Sequence, residues 1–357
     1  MSYTLAPKAE QLIPYDPVEG HYRVRLDANE SFLLPTEEDR EKMGEAAANA
    51  ALNRYPDPLA AALCAAFARR YGIDPSLVTA GNGSDELISI ILSTFLQKGE
   101  KVLTLSPDFS MYRFYTSITE NPCVTLEKGE DFRIDVDRVL ETIREEHIRL
   151  FVFSNPCNPT SVGLEAAEVR RLIQSTNALV VLDEAYMDFW DQSLIREVEQ
   201  YDNLLLLRTC SKAIGLAALR VGFAVANPRL TAVIRAAKSP YNVNAVSQEM
   251  VRILLENDHY ANVYPELILA SRDMLLKGLK ILESEGALQK VYDSNTNFVY
   301  VRTAGARQIF ERLADNGIIV RCFGEEYLRI TAGTQAENSE LLASLRFLLK
   351  NREDAPV

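Results

Sequence analysis

The stretch ALVVLDEAY, residues 178–186, decides the fold class. Its first five residues are an unbroken apolar run, 178–182. A strand with one face in water would alternate apolar and polar residues, so this run predicts a strand buried on both faces, as in parallel sheets. The run ends directly in Asp183 and Glu184, so two carboxylates are expected at the carboxyl end of a buried strand.

The same pattern recurs on both sides of this stretch. Short apolar runs predict strands at residues 101–105, 123–126, 150–153, 204–207 and 222–226. Helical patterns at 87–95 and 165–175 alternate with these runs. Strands that alternate with helices indicate an α/β domain with a mostly parallel central sheet flanked by helices. Polar turns follow several of these strands, at the edge where ligands bind in open α/β sheets.

The pattern changes after about residue 238. A long helical region, 245–285, with an expected break near Pro265, is followed by short strands at 297–302, 318–320 and 327–331. We therefore predict an N-terminal arm over residues 1–30 that joins the smaller domain, a large domain over 31–240, and a smaller α+β domain over 241–357. The length of 357 residues agrees with two domains, at about 100–200 residues each.

Composition narrows the classes of function. The net charge of −12 opposes a broad electrostatic attraction to nucleic acid or to an anionic membrane. The five cysteines and three histidines are scattered, without the spacing of a disulfide framework or a metal site, so no metal is expected. No run approaches the ~20 apolar residues of a membrane span, and no signal peptide is recognisable, so we expect a soluble cytoplasmic protein.

One lysine follows a predicted strand and has two hydroxyl residues and an arginine near it in sequence. Lys212 lies beside Thr209 and Ser211, with Arg220 eight residues further on. Hydroxyls and a guanidinium suit a bound phosphate, and nearby positive charge lowers the pKa of an amine. This set favours a lysine that forms a Schiff base with a phosphate-bearing cofactor. The alternative is an exposed loop lysine, which most lysines are.

Two turns at strand ends could serve the ring of such a cofactor. Asp183 could pair with the protonated nitrogen of a pyridine ring, and Tyr186 and Asn158 could bind an oxygen substituent on that ring. The alternative for Asp183 is a helix cap or a buried carboxylate with hydrogen-bonding partners. Phe109 could stack on the ring or belong to the core.

The turn GNGSDE, residues 81–86, precedes a predicted helix. Gly83, Ser84 and Asp85 would present free N–H groups and a helix dipole to a phosphate. Taken alone, the turn could equally be a tight connection, and it is too short for a dinucleotide fingerprint.

Together these motifs resemble the fold-type I pyridoxal-phosphate (PLP) aminotransferases, and within them most closely the histidinol-phosphate aminotransferases. The resemblance covers nearly the whole chain. It includes IPYDP (13–17), LDANES (26–31), NRYPDP (53–58), GNGSDE, SNPCNPT (154–160), DEAY (183–186), the Lys212 and Arg220 spacing, and LRITAGT (328–334).

The resemblance implies a homodimer with composite active sites and PLP held by Lys212. It implies that Asp183 and Tyr186 assist catalysis and that Tyr55 reaches the cofactor phosphate of the other subunit. Substrate binding is assigned to four residues by the same resemblance, namely Tyr15, Asn158, Arg321 and Arg329.

The implied reaction transfers an amine from histidinol phosphate to 2-oxoglutarate in histidine biosynthesis, yielding imidazole-acetol phosphate and glutamate. Aromatic or other amino-acid aminotransferases and threonine-phosphate decarboxylase share these cofactor motifs and remain open. A non-catalytic nucleotide-binding module that uses GNGSDE is the alternative from another class. It would leave the set of Asp183, Lys212 and Arg220 unexplained.

The chain departs from the family pattern at one turn. The family usually has glycine after N-P-T, whereas this chain has Ser161. If the position requires a positive φ, we expect serine to be strained there.

Overall fold

The computed structural model describes residues 3–10, 12 and 18–350, and the predicted site residue Tyr15 lies outside them. The helices of the described chain are α1 (Pro7–Glu10), α2 (Glu37–Ala48), α3 (Ala61–Tyr71), α4 (Ser84–Thr94), α5 (Met111–Ile118), α6 (Val136–Glu145), α7 (Ala166–Gln174), α8 (Pro228–Ala237), α9 (Ala245–Leu255), α10 (Asp258–Ser284), α11 (Ala306–Asp315) and α12 (Gln335–Lys350). The strands are β1 (Val24–Arg25), β2 (Val78–Gly81), β3 (Lys101–Ser106), β4 (Cys123–Glu127), β5 (Ile148–Ser154), β6 (Leu179–Asp183), β7 (Leu204–Thr209), β8 (Gly222–Ala226), β9 (Lys290–Val291), β10 (Phe298–Arg302), β11 (Ile318–Ile319), β12 (Arg321–Phe323) and β13 (Tyr327–Thr331).

A seven-stranded sheet forms the centre of the protein, with the order β2-β8-β7-β6-β5-β3-β4. Strands β3 to β7 pair in parallel, and β8 runs antiparallel to both of its neighbours. The predicted α/β class with a mostly parallel sheet is therefore confirmed. Helices cover the sheet, and apolar clusters lie on both of its faces, so the central strands are buried on both sides.

A second, antiparallel sheet has the order β12-β13-β10-β9. Its core also receives Val24 and Leu26 from the N-terminal segment, and β1 pairs with β11. This packing supports the proposal that the N-terminal segment joins the smaller domain.

The long helical region changes core along its length. The residues of α10 up to Tyr264 pack in the apolar core of the large sheet, and those from Leu275 onward pack in the core of the small sheet. Helix α10 therefore contributes to both cores, and the predicted division into domains at residue 240 stays a proposal. The predicted break near Pro265 is wrong, because Pro265 lies within α10. The interruption comes earlier, where the side chain of Asn257 accepts a hydrogen bond from the amide of His259 and caps α10.

None of the helices in the described ranges combines the length and the apolar character that crossing a bilayer would require.

Ser161 occupies the strained conformation that we expected from its place in the turn. Its φ is 63° and its side chain is buried. The Ser161 hydroxyl donates to the carbonyl of Asp293 at 3.1 Å, and the amide of Asn295 donates to the Ser161 carbonyl at 3.3 Å. The serine thus connects the turn after β5 to the segment that leads into β10, which a glycine could do only through its backbone.

We predict that Ser161→Ala lowers the free energy of unfolding by about 1 kcal/mol, because it loses this hydrogen bond and keeps the left-handed backbone. Ser161→Gly should cost less, because glycine adopts a positive φ without a steric penalty. Chemical denaturation of the two variants measures the difference. An alanine variant as stable as the glycine variant would show that the backbone conformation is not strained.

Candidate active site

The carboxyl ends of the parallel strands open into a pocket of about 420 Å³. Most of the predicted site residues line it, although they are distant in sequence. They are Ser84, Asp85, Phe109, Asn158, Asp183, Tyr186, Thr209, Ser211, Lys212, Arg220, Arg321 and Arg329. Most of them lie at or just after the end of a strand of the large sheet, Arg220 lies just before β8, and Arg321 and Arg329 belong to β12 and β13 of the small sheet. The topology itself therefore brings them together.

Asp183 ends β6 and is almost completely buried. Its carboxylate accepts a hydrogen bond from the Tyr112 hydroxyl at 2.8 Å and one from the Ala185 amide at 3.1 Å. Burial raises the pKa of Asp183 to about 7, and the bond from Tyr112 opposes this rise. Both hydrogen-bond partners are neutral, so the site suits a cationic ligand group that would restore the charged carboxylate.

Lys212 follows β7, and its Nζ donates to the carbonyl of Ala28 at 3.1 Å. Burial and the nearby charge of Arg329 together lower the pKa of Lys212 to about 8. The amine is therefore much easier to deprotonate than an ordinary lysine, which suits a nucleophile or a base near neutral pH.

Tyr186 lies beside both groups. Its ring centroid is 5.8 Å from Lys212 Nζ, and its hydroxyl accepts a hydrogen bond from the Asn29 side chain at 2.9 Å. Burial raises the pKa of Tyr186 to about 12, so the phenol stays protonated at neutral pH.

The GNGSDE turn forms a cradle at the start of α4. Gly83 has a φ of 82°, and a methyl group on it would lie 2.8 Å from the Arg220 guanidinium. A methyl group on Gly222 of β8 would lie 2.4 Å from the Ser84 amide nitrogen. The absence of a side chain at Gly83 therefore lets Arg220 approach the turn, and its absence at Gly222 lets the turn approach β8. Arg220 also pairs with Asp85 at 3.4 Å. Free amides at a helix start beside an arginine suit a phosphate.

The opposite side of the pocket carries two arginines from the small sheet. Arg321 and Arg329 are directly opposite each other across β12 and β13. Arg329 donates to the Asn158 side chain and to the Asp27 carbonyl, and its guanidinium lies 5.4 Å from the ring centroid of Phe298 and 5.6 Å from that of Phe323. The hydrogen bonds and the two rings hold Arg329 in place, so the arrangement suits the anionic end of a ligand.

Tyr55 is not brought into the pocket of its own chain. Its side chain is 81% exposed and stacks on Tyr241 at 4.5 Å between ring centroids. Leu52 and Leu59 in the same segment are also exposed.

Two further polar groups of the site were missed in the sequence. Tyr112, which bonds to Asp183, lies in an amphipathic helical pattern that does not distinguish it from a core residue. Asn29 has a φ of 55°, bonds to Tyr186, and exchanges two hydrogen bonds with Thr331 of β13. Its place in LDANES was the only available signal.

The polar groups that line the pocket fit PLP. A lysine with a lowered pKa, a buried carboxylate with only neutral partners, and a glycine-lined helix start beside an arginine correspond to an amine, a ring cation and a phosphate. Phe109, which contacts Tyr112 edge-on at 5.5 Å, supplies an aromatic wall.

Comparison with known proteins identifies the family. The family model "Aminotransferase class I and II" matches residues 23–345. The chain is 40% identical over 337 residues to histidinol-phosphate aminotransferase of Clostridium novyi. The aligned region covers 93% of this chain and 94% of that enzyme. The chain is also 37% identical over 334 residues to the enzyme of the same name from a Thermoanaerobacter species, across 92% and 93% of the two chains.

A solved structure agrees with this placement. The crystal structure of histidinol-phosphate aminotransferase from Sinorhizobium meliloti in complex with pyridoxal-5'-phosphate superposes with a TM-score of 0.88, at 25% identity, over 99% of both chains. The present chain thus belongs to the class I and II aminotransferases.

We predict that the rate at which the PLP-free protein captures PLP rises with pH around a midpoint near 8, because the pKa of Lys212 is lowered to about 8 and capture needs the neutral amine. Stopped-flow absorbance from pH 6.5 to 10 measures the midpoint. Arg329→Met should move it upward, because the charge of Arg329 is one cause of the shift. A rate in the wild-type protein that still rises steeply at pH 10, as for an ordinary lysine with a pKa of about 10.4, would contradict the site geometry.

Proposed function

We propose that this aminotransferase transfers the amine of histidinol phosphate to 2-oxoglutarate, with PLP as cofactor, in the biosynthesis of histidine. One observation carries the proposal: a single pocket joins the pair of Lys212 and Asp183 to the opposed arginines Arg321 and Arg329. The first pair suits PLP chemistry, and the second suits a substrate with a strongly anionic end. The names of the relatives favour histidinol phosphate as that substrate.

When bound, PLP supplies an aldehyde and an electron-withdrawing ring. Lys212 would hold it covalently, Asp183 would pair with the ring nitrogen, and Phe109 would stack on the ring. Tyr186 and Asn158 would bind the ring oxygen. The phosphate would be held by the group of Gly83, Ser84, Asp85, Thr209, Ser211 and Arg220.

Lys212 is also the proposed base. Its lowered pKa lets the amine take a proton from the substrate carbon and return it at neutral pH. The carbonyl of Ala28 accepts from Nζ and holds the amine at one position in the pocket. Asn29, the next residue, fixes Tyr186, so the same segment orients both groups.

Arg329 and Arg321 are proposed to bind the phosphate of the donor and a carboxylate of 2-oxoglutarate in turn. Arg329 is buried and already oriented by Asn158, so it can bind a small anion with little loss of side-chain entropy. Tyr15 remains a proposed contact of the same substrate end.

A homodimer in the cytoplasm is the proposed state of the protein. Tyr55 and Leu52 are each 81% exposed, and the Tyr55 ring stacks on Tyr241 of the same chain. Burial of this apolar segment against a second copy would remove it from water and would bring Tyr55 to the cofactor phosphate of the partner subunit.

The half-reaction tests the proposal directly. Purified protein with PLP is mixed with histidinol phosphate in the absence of any keto acid, and we expect its visible band to convert to that of the pyridoxamine form. Addition of 2-oxoglutarate should restore the original band. A band that does not respond to histidinol phosphate would reject it as the donor, and phenylalanine and threonine phosphate would then be tested as the alternatives.

Lys212→Ala should abolish turnover without unfolding the protein, because the lysine lies in the pocket and outside the apolar clusters. Turnover is measured as glutamate formed from 2-oxoglutarate, and folding by circular dichroism. The control is Lys98, which is exposed on the loop after α4. Lys98→Ala should keep wild-type activity. Transamination by the Lys212→Ala protein would disprove its role.

Intersubunit complementation tests the composite site. Tyr55→Ala and Lys212→Ala should each be poorly active, because each lesion affects every site of its own dimer. Hybrids formed by refolding an equal mixture contain one site with both lesions and one with neither, so about a quarter of the wild-type activity should return. No recovery in verified hybrids would show that Tyr55 does not act across the interface.

A further inference from the structure

A buried ion pair lies behind the wall of the pocket. Lys128 Nζ is 3.4 Å from Asp108 Oδ2, and each side chain has only 1% of its surface exposed. Lys128 directly follows β4, and Asp108 lies two residues after β3. The pair therefore sits at the same edge of the sheet as the candidate active site.

Burying such a pair has a large desolvation cost, which is recovered only when the remaining polar atoms are bonded. Burial alone would lower the pKa of Lys128, but the Asp108 carboxylate and the Cys157 thiol beside it raise that pKa above the ordinary value. The lysine is thus held as a cation. Apolar residues could fill the same space at lower cost, so the pair calls for a role beyond packing.

The partners of the pair supply this role. Asp108 Oδ1 accepts a hydrogen bond from the Ser154 hydroxyl and one from the Phe109 amide, the latter at 2.8 Å. The Ser154 oxygen in turn accepts from the amide of Asn158 at 3.2 Å. Asn158 then accepts from Arg329 through its side chain. A continuous path of hydrogen bonds therefore leads from the ion pair to the pocket.

Lys128 also bonds directly to the turn 154–158. Lys128 Nζ donates to Cys157 Sγ at 2.9 Å, and that sulfur lies 3.5 Å from the carbonyl oxygen of Pro107. The turn 154–158 is consequently tied both to Asp108 through Ser154 and to Lys128 through Cys157. Because the pair joins the ends of β3, β4 and β5, it fixes Phe109 and Asn158 relative to each other.

We infer that Lys128 and Asp108 are positioning residues for the reaction, which hold Phe109 and Asn158 in place through Ser154 and Cys157 without contacting cofactor or substrate. The inference rests on the proposed function for the roles of Phe109 and Asn158. Its first readout, the affinity of the PLP-free protein for PLP, requires no amino donor and so does not depend on histidinol phosphate being the substrate.

Ser154→Ala tests the path while leaving the ion pair intact. We expect the dissociation constant for PLP, measured by absorbance titration, and the KM for 2-oxoglutarate each to rise about tenfold, equivalent to about 1.4 kcal/mol, with kcat changed less. The double variant Lys128→Met with Asp108→Leu, which removes both charges together, should show the same two changes. Unchanged values in folded Ser154→Ala protein would overturn the inference.

A conservative variant separates positioning from charge. Lys128→Met with Asp108→Asn keeps an acceptor for Ser154 and Phe109, so it should recover most of the PLP affinity that the leucine variant loses. Failure of this recovery would reject the hydrogen-bond path. Arg235→Met is the control for general loss of stability, because Arg235 bonds only to the backbone of Pro75 and Val78 in the described chain, away from the pocket. It should lower the melting temperature and leave both constants unchanged; an equal rise in this control would also reject a positioning role.

Discussion

The exclusion of water from Asp183 is the constraint on which the rest of the pocket depends. A carboxylate buried at the end of β6 with only neutral partners has its pKa raised to about 7, and the nearby Lys212 has its pKa lowered to about 8. An acid and a base are thus pushed towards each other on the pH scale by the same loss of solvent, a usual arrangement in acid–base sites. The groups around them, such as Arg329, Ala28 and Tyr112, adjust the pKa of one of these two residues or hold it in position.

The N-terminal segment forms the third wall of this pocket. Ala28 accepts from Lys212, Asn29 bonds to Tyr186 and to Thr331 of the small sheet, and the carbonyl of Asp27 accepts from Arg329. The segment therefore contacts the large sheet and the small sheet at once. The candidate site exists only when all three parts are assembled, although the first and the last of them, joined by Asn29 and Thr331, lie 302 residues apart in sequence.

The fold could be predicted from the sequence because the central strands are continuous apolar runs followed by polar turns, and β8 was predicted with its observed ends. Strand β2 was missed because its four residues, VTAG, carry little apolar pattern. The pocket residues were predicted through the chemistry of Lys212 and Asp183 and through the family resemblance. Tyr112, Asn29 and Lys128 escaped, because their importance comes from partners 71, 157 and 29 residues away that no local pattern reveals.

Helix α10 belongs to two cores at once. Its first part packs with Tyr264 in the core of the large sheet and its second part with Leu275 in that of the small sheet, over 27 residues or about 40 Å. A helix shared in this way makes the unfolding of the two cores cooperative. If one core unfolds, the helix frays from that end, and the other core loses part of its packing. The chain should therefore lose structure as one unit, and relative movement of its halves must bend or rotate this helix instead of flexing a linker.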